Sequence, residues 1–237
     1  MSMDLLVLGA WGPYPAPGGA CSGYLLTSPG ARVLLELGTG TLSRLHGSRM
    51  PWEVDAVILS HLHWDHMADL MVLRYALDAH GIALPLYSPV EPSLESGLLD
   101  YKGVYQRYVI EDGLEVTIGD MSVCFHQVQH SVPAFGVRVT SGGRVFAYSS
   151  DTGPTPALET LARGSHLFLC ESNLLETQEA PGHLKASQAA RAARDSAASN
   201  LLLTHVAPGV DPRVLENEAR AIHKASSVAQ EGRSYAI

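Results

Sequence analysis

The 237-residue sequence is 46% hydrophobic and 17% charged, enough apolar material for a sizeable core and too much for an intrinsically disordered chain. Its net charge of −8 and 16 scattered basic residues form no basic stripe, which argues against extensive nucleic-acid binding while allowing a small anionic substrate. No apolar run reaches the length of a membrane span, and the N-terminal Met-Ser-Met-Asp-Leu-Leu-Val-Leu-Gly lacks the basic start of a signal peptide, so a cytoplasmic location away from membranes is expected.

In chain order, Asp4–Leu8 reads as a strand, followed by a loop rich in Gly and Pro from Gly9 to Gly19. Ser22–Ser28 and Arg32–Leu37 are short apolar runs on either side of Pro29-Gly30, the pattern of a hairpin. Thr39–His46 suits a short helix, and Ala56–Ser60 a buried strand that runs directly into histidines. Met67, Leu70, Met71, Leu73 and Leu77 recur at helical spacing, which predicts a helix from Asp65 to about Ala79 with that face in the core. Ala83–Tyr87 reads as a strand, while the tract from Pro89 to Arg107 shows no clear period. Leu114–Ile118, Met121–Val128, Phe135–Thr140 and Val145–Ser149 follow as short strands, with turn chemistry at Gly119-Asp120 and Gly142-Gly143. The rhythm then changes: Pro156–Arg163 is helical, Leu167–Cys170 a strand, Lys185–Ser199 an alanine-rich helix, Leu201–Thr204 a strand and Pro212–Lys224 a final helix. Two series of strands, each finished by helices, predict sheet layers covered outside by helices. No linker divides the sequence, so residues 1–237 are expected to form a single domain.

The cysteines (Cys21, Cys124, Cys170) are odd in number and unclustered, matching neither a disulfide framework nor a Cys-type zinc site. Histidines are more informative. In Ser60-His61-Leu62-His63-Trp64-Asp65-His66, a strand running into a loop lets His61 and His63 project together while Asp65 and His66 open the next helix. Partly buried imidazoles and a carboxylate need partners, and a metal ion supplies one. This donor set suits zinc, iron or manganese rather than calcium.

The His-x-His-x-Asp-His spacing resembles that of the metallo-β-lactamase superfamily, and the other ligands of its two-metal members have counterparts in order. His130 follows an alternating strand, Asp151 ends the strand before Thr152, and His205 ends Leu201-Leu202-Leu203-Thr204. The resemblance implies an α/β (α+β) fold of the four-layer αββα sandwich type, with two divalent ions at one edge. His61, His63 and His130 would hold the first, Asp65, His66 and His205 the second, and Asp151 would bridge them. Zinc is the expected metal, with manganese or iron as alternatives. Such a pair shares a hydroxide nucleophile, and Asp65 is read as catalytic as well as a ligand.

These seven residues serve thioesterases, lactonases, phosphodiesterases and ribonuclease Z alike. Gly182-His183-Leu184-Lys185-Ala186-Ser187 resembles the Gly-His-Ser/Leu-Thr-Ala segment of ribonuclease Z and related phosphodiesterases, which implies a catalytic His183; Lys185 replaces the usual Thr. Glu171 resembles an acidic residue of the same enzymes. The long tRNA-gripping arm of bacterial ribonuclease Z has no counterpart between His130 and Asp151, which favours a small phosphodiester, such as a cyclic nucleotide or related cyclic phosphate. A lactone or thioester hydrolase and a non-hydrolytic carrier of the PqqB type are the alternatives. His126 shares strand parity with His130, which offers it to the site, but it reads more readily as a core or surface histidine; Trp64 either walls the metal pocket or packs under it, and the Gly12–Gly19 loop borders the mouth in this superfamily. His46, His80, His166 and His223 are read as solvent or packing residues. A homodimer is compatible with the family, with Tyr101, Tyr105 and Tyr108 as surface candidates.

Overall fold

The computed structural model describes residues 3–48, 50 and 52–237. Strands β1 (Asp4–Gly9), β2 (Gly23–Thr27) and β3 (Arg32–Leu37) form an antiparallel meander, its second turn falling at Pro29-Gly30 as the sequence requires. Helix α1 (Thr41–Ser48) leads to β4 (Ala56–Ile58), α2 (Trp64–Met67), α3 (Leu70–His80), β5 (Leu84–Ser88), α4 (Ser93–Leu98) and β6 (Tyr105–Val109), and these strands add in parallel. The second half repeats the plan. Antiparallel β7 (Glu115–Ile118), β8 (Met121–Val128), β9 (Ala134–Ser141) and β10 (Arg144–Tyr148) are followed by α5 (Ala157–Ala162), β11 (Leu167–Glu171), α6 (Ala186–Asp195), β12 (Leu201–Thr204), α7 (Pro212–Arg220) and β13 (Ser226–Val228), again in parallel. The last strand, β14 (Ser234–Ala236), returns to the first sheet and pairs with β1. The sheet orders are β14-β1-β2-β3-β4-β5-β6 and β13-β12-β11-β10-β9-β8-β7.

Strand alternation divides the apolar side chains into three layers. Leu5, Val7, Val33 and Leu35 of the first sheet meet Val123, Phe125, Val137 and Phe146 of the second in one buried cluster between the sheets. Their neighbours Leu34, Val57 and Leu86 face the other way and pack with Leu70, Leu73 and Leu77 of α3. Phe168, Leu201 and Leu203 likewise meet Ala186, Ala189, Ala190 and Ala193 of α6. The result is the expected four-layer αββα sandwich. Alanine on the buried face of α6 leaves little side chain between helix and sheet, so the two backbones approach closely. Among the described residues, no helix is long and apolar enough to cross a membrane.

Several boundaries differ from the sequence reading. The helix expected over 65–79 is two helices, because Asp69 is diverted: its amide donates to the Leu37 carbonyl (3.0 Å) and its carboxylate accepts from the Leu42 amide at the start of α1 (2.9 Å). The tract 89–107 contains α4 and the start of β6, which are largely exposed and bury too few apolar side chains to set a period. Helices α6 and α7 stop at Asp195 and Arg220, short of Ser199 and Lys224, and β13 and β14 are three-residue strands too short to show alternation.

All three thiols are free, but only Cys124 is partly exposed; Cys21 and Cys170 are buried. Burial, reinforced by the charge of Asp65, pushes the Cys21 thiol up to about 12, and burial raises Cys170 as well. Since the thiolate is the reacting form, a disulfide reagent at pH 8 is expected to modify Cys124 alone in the native protein and all three after denaturation. Native-state modification of Cys21 or Cys170, read by mass spectrometry, would contradict this packing.

Candidate metal centre

Loops leaving the ends of strands from both sheets carry the functional side chains to one edge of the sandwich. The loop after β4 supplies His61 and His63, and α2 supplies Asp65 and His66 from its first turn. His130 follows β8, Asp151 follows β10, and His205 stands directly after β12. Three non-glycine residues here, Glu36, Ser150 and His205, hold left-handed backbone angles (φ 60°, 60° and 55°). Such conformations cost on the order of 1 kcal/mol or more each and persist only where surrounding contacts enforce them. At Glu36 the cause is a bulge: Gly23 pairs with Leu37 but Tyr24 with Leu35, so Glu36 is an extra residue turned toward the site.

All seven predicted ligands converge. His63 Nδ1 lies 3.2 Å from both His61 Nε2 and His130 Nε2. Burial, together with the neighbouring imidazoles, lowers the pKa of these three histidines, so they present neutral lone pairs. The outer nitrogens are oriented: the Ser60 hydroxyl is 3.0 Å from His61 Nδ1, and His130 Nδ1 faces the Gly182 carbonyl at 2.9 Å. The other four residues form an ion-paired group. His205 Nε2 is 3.1 Å from Asp65 Oδ2 and from Asp151 Oδ2, which also lies 3.4 Å from His66 Nε2 and 3.9 Å from His61 Nε2. Burial opposes charge on all four. The mutual pairing outweighs it, holding both carboxyls below their ordinary range and both imidazoles above theirs.

Both subsets have donor atoms within 4.8 Å of one another. His66 Nδ1, His66 Nε2 and Asp151 Oδ1 are buried without a hydrogen-bond partner, although buried polar atoms are costly to leave so. Orphaned imidazole and carboxylate atoms converging on one volume fit a divalent-metal site.

Around this centre stand residues that the sequence reading did not single out. Glu36 is fully buried, accepts from the Ser60 amide (3.1 Å) and places Oε1 3.7 Å from His66 Nδ1. The Asn173 amide donates to the Gly12 carbonyl (3.1 Å) and the His205 carbonyl (3.0 Å), stapling the Gly12–Gly19 loop to the end of β12. A side-chain carbon at Gly12 would lie only 2.0 Å from His205 Nε2, so this loop forms a wall of the site. A lone carboxylate inside Val33-Leu34-Leu35-Glu36-Leu37 was the available signal for Glu36. Asn173 offered none.

His183 lies against the centre, its ring centroid 5.5 Å from that of His205 and 5.4 Å from that of His130. Glu171 is fully buried, and its Oε1 is 2.9 Å from His183 Nδ1. Burial pulls the His183 pKa down, but hydrogen bonding and charge from Glu171 outweigh it and raise the value to about 9. His126 does not face the site. β8 ends at Val128, strand parity does not continue to His130, and His126 lies with Cys124 and Arg138 in a shallow outer groove. Trp64 is 49% exposed, which excludes the reading that packs it beneath the metals. His46 and His80 flank Trp52, while His166 and His223 hydrogen-bond backbone groups away from the centre.

A four-layer sandwich with this edge constellation defines a metallo-hydrolase. Residues 19–206 match the beta-lactamase superfamily domain, and the chain belongs to that superfamily. The metallo-hydrolase YhfI of Bacillus subtilis is 29% identical over 212 residues, covering 86% of this chain and 87% of that protein. Its crystal structure, described as a metallo-beta-lactamase fold protein, superposes with a TM-score of 0.95 at 28% identity over 100% of both chains. A ribonuclease Z of Methanopyrus kandleri is 27% identical over 264 residues, 95% of this chain and 94% of the relative. A diphosphatase of the PhnP family shares the fold, with a TM-score of 0.82 at 17% identity over 100% of this chain and 98% of that one.

Raised pKa values favour the protonated forms of His66 and His205 in the metal-free protein, and a metal must displace those protons as it binds. Zn²⁺ titrated into that protein at pH 7 is expected to release protons and to bind more tightly as the pH rises. Calorimetry in two buffers of different ionisation enthalpy measures this, and identical apparent enthalpies would contradict it. Gly12→Ala should weaken metal binding by roughly tenfold or more through the displaced His205, while far-ultraviolet circular dichroism stays native. Unchanged metal affinity in that variant would show that the loop yields instead.

Proposed function

We propose that this chain is a metal-dependent phosphodiesterase acting on a small anionic phosphodiester, such as a cyclic nucleotide or related cyclic phosphate. The observation that carries this reading is the buried Glu171 carboxylate paired with His183 beside the centre. His61, His63 and His130 would hold one divalent ion and Asp65, His66 and His205 a second, with Asp151 shared. Ions bound there supply Lewis acidity, which acidifies water and offsets negative charge at the attacked centre.

The chain's own residues supply proton delivery. Glu171 accepts from the Thr152 amide (2.9 Å), the Leu184 amide (3.1 Å) and the Asn173 amide (3.2 Å) as well as from His183, so its carboxylate is fixed on four sides. His183 Nδ1–H donates to Glu171 Oε1, which leaves Nε2 as the working nitrogen. With its pKa at about 9, His183 is protonated at neutral pH and can give a proton from Nε2 to a departing alkoxide. An alkoxide leaves phosphorus poorly without one.

The segment between His130 and Asp151 supports a small substrate. It is a plain hairpin of β9 and β10, closed by Gly142 and Gly143 with positive φ of 55° and 79°, and carries no arm for gripping RNA. The net charge of −8 points the same way. The names of the ribonuclease Z relative and the PhnP-family diphosphatase both denote phosphorus–oxygen bond cleavage, which supports the class of bond.

Metal-quantified protein is expected to hydrolyse bis(p-nitrophenyl) phosphate only with Zn²⁺ or Mn²⁺ present. His183→Ala should lower turnover by roughly 10²- to 10⁴-fold without losing metal. The unaltered enzyme should lose activity as pH rises and deprotonates His183, and the variant should lack that alkaline limb. Rapid hydrolysis of a lactone panel alongside inert phosphodiesters would overturn the assignment.

A further inference from the structure

Trp64 occupies the one variable position between His63 and Asp65, where ligand geometry requires no particular side chain. It is nevertheless a tryptophan, 49% exposed at the first residue of α2. Among the described residues its indole N–H has no hydrogen-bond partner and its ring meets no other aromatic ring. A second exposed aromatic, Tyr14 (59%), lies two residues from Gly12, which packs on His205 Nε2. His205 Nε2 is in turn 3.1 Å from Asp65 Oδ2, the residue after Trp64. Both aromatics therefore belong to chain segments that border the Asp65–His205 side of the centre.

The loop carrying Tyr14 is held at both ends. Trp11 N donates to the Ala20 carbonyl (3.2 Å), Gly12 N to the Val206 carbonyl (3.1 Å), and Gly19 lies against the Trp11 indole. Arg44 donates to the Gly18 carbonyl (2.6 Å) and pairs with Glu231 (2.6 Å), which also accepts from the Ala20 amide (2.7 Å). An exposed ring on an anchored loop loses little freedom when a ligand covers it.

We infer that Trp64, assisted by Tyr14, is the specificity-determining residue for a flat unsaturated group on the substrate, a nucleobase or comparable ring that stacks on the indole while the phosphate occupies the metal centre. A phosphate and sugar gain little from an indole face; a base gains roughly five- to hundredfold in affinity from one such stack. The inference rests on the phosphodiesterase reading for the identity of the reacting group.

The test is calorimetric titration of the metal-loaded protein with adenosine 5′-monophosphate and with ribose 5-phosphate, which share sugar and phosphate and differ by the base. The unaltered protein should bind the adenosine compound about tenfold or more tightly, Trp64→Ala should reduce that ratio to about twofold or less, and Trp64→Phe should keep part of it. Absence of adenosine 5′-monophosphate binding, equal affinity for the two probes in the unaltered protein, or equal weakening of both in Trp64→Ala would each overturn the inference. Turnover does not enter this measurement. Inert phosphodiesters would remove the phosphodiesterase reading alone, and an absent preference for the base would remove the stacking alone.

Discussion

Five imidazoles and two carboxylates drawn out of water onto one small volume are the constraint around which this molecule is built. Each charge on Asp65 and Asp151 is opposed by burial, and each is retained because His66 and His205 stand against it. The other three histidines are neutral for the same reason in reverse: burial and neighbouring imidazoles disfavour their protons. One edge of the protein thus holds a charged and an uncharged half side by side, with Asp151 Oδ2 within 4 Å of members of both. Protons are a poor solution to that arrangement, since His66 keeps both ring nitrogens unbonded. Divalent cations are a better one.

The fold supplies the geometry by ending its strands at a common edge. Parallel strands bring the residues after β4 and β12 to the same side as the loops after β8 and β10, so seven candidate ligands from four segments meet without a long excursion by any of them. Local departures from regular structure do the final aiming. The bulge at Glu36 turns a carboxylate toward His66, the left-handed backbone at His205 swings its ring off the strand axis, and Gly12 makes room for it. Glu171 then joins the Asp151 loop to His183, since one buried carboxylate accepts from both Thr152 and His183.

The candidate ligands were legible in the sequence because they sit in runs that both chemistry and spacing single out. His61, His63, Asp65 and His66 fall within six positions, and His130, Asp151 and His205 each follow a strongly apolar strand. The sandwich was legible for the same reason, since strands buried on both faces and helices with one apolar face leave opposite patterns. What escaped notice depends on tertiary context. Asn173 works through contacts with Gly12 and His205, which are remote in sequence, and nothing local distinguishes it from a loop asparagine. His126 shares parity with His130 only if alternation is carried past Val128, where the strand stops. The break between α2 and α3 lies in a sequence with good helical period; it arises from the bonds of Asp69 to β3 and α1.

One pairing links the two ends of the described chain. β14 lies beside β1, with Asp4 opposite Ala236 and Leu6 opposite Ser234, so one edge of the first described strand is filled by the last described strand. A pairing with so large a sequence separation is entropically slow to close, and during synthesis the exposed edge of β1 is a template for any other strand. The first sheet is therefore dependent on timing in a way the second is not, since β13 is laid down next to β12 with only α7 between them.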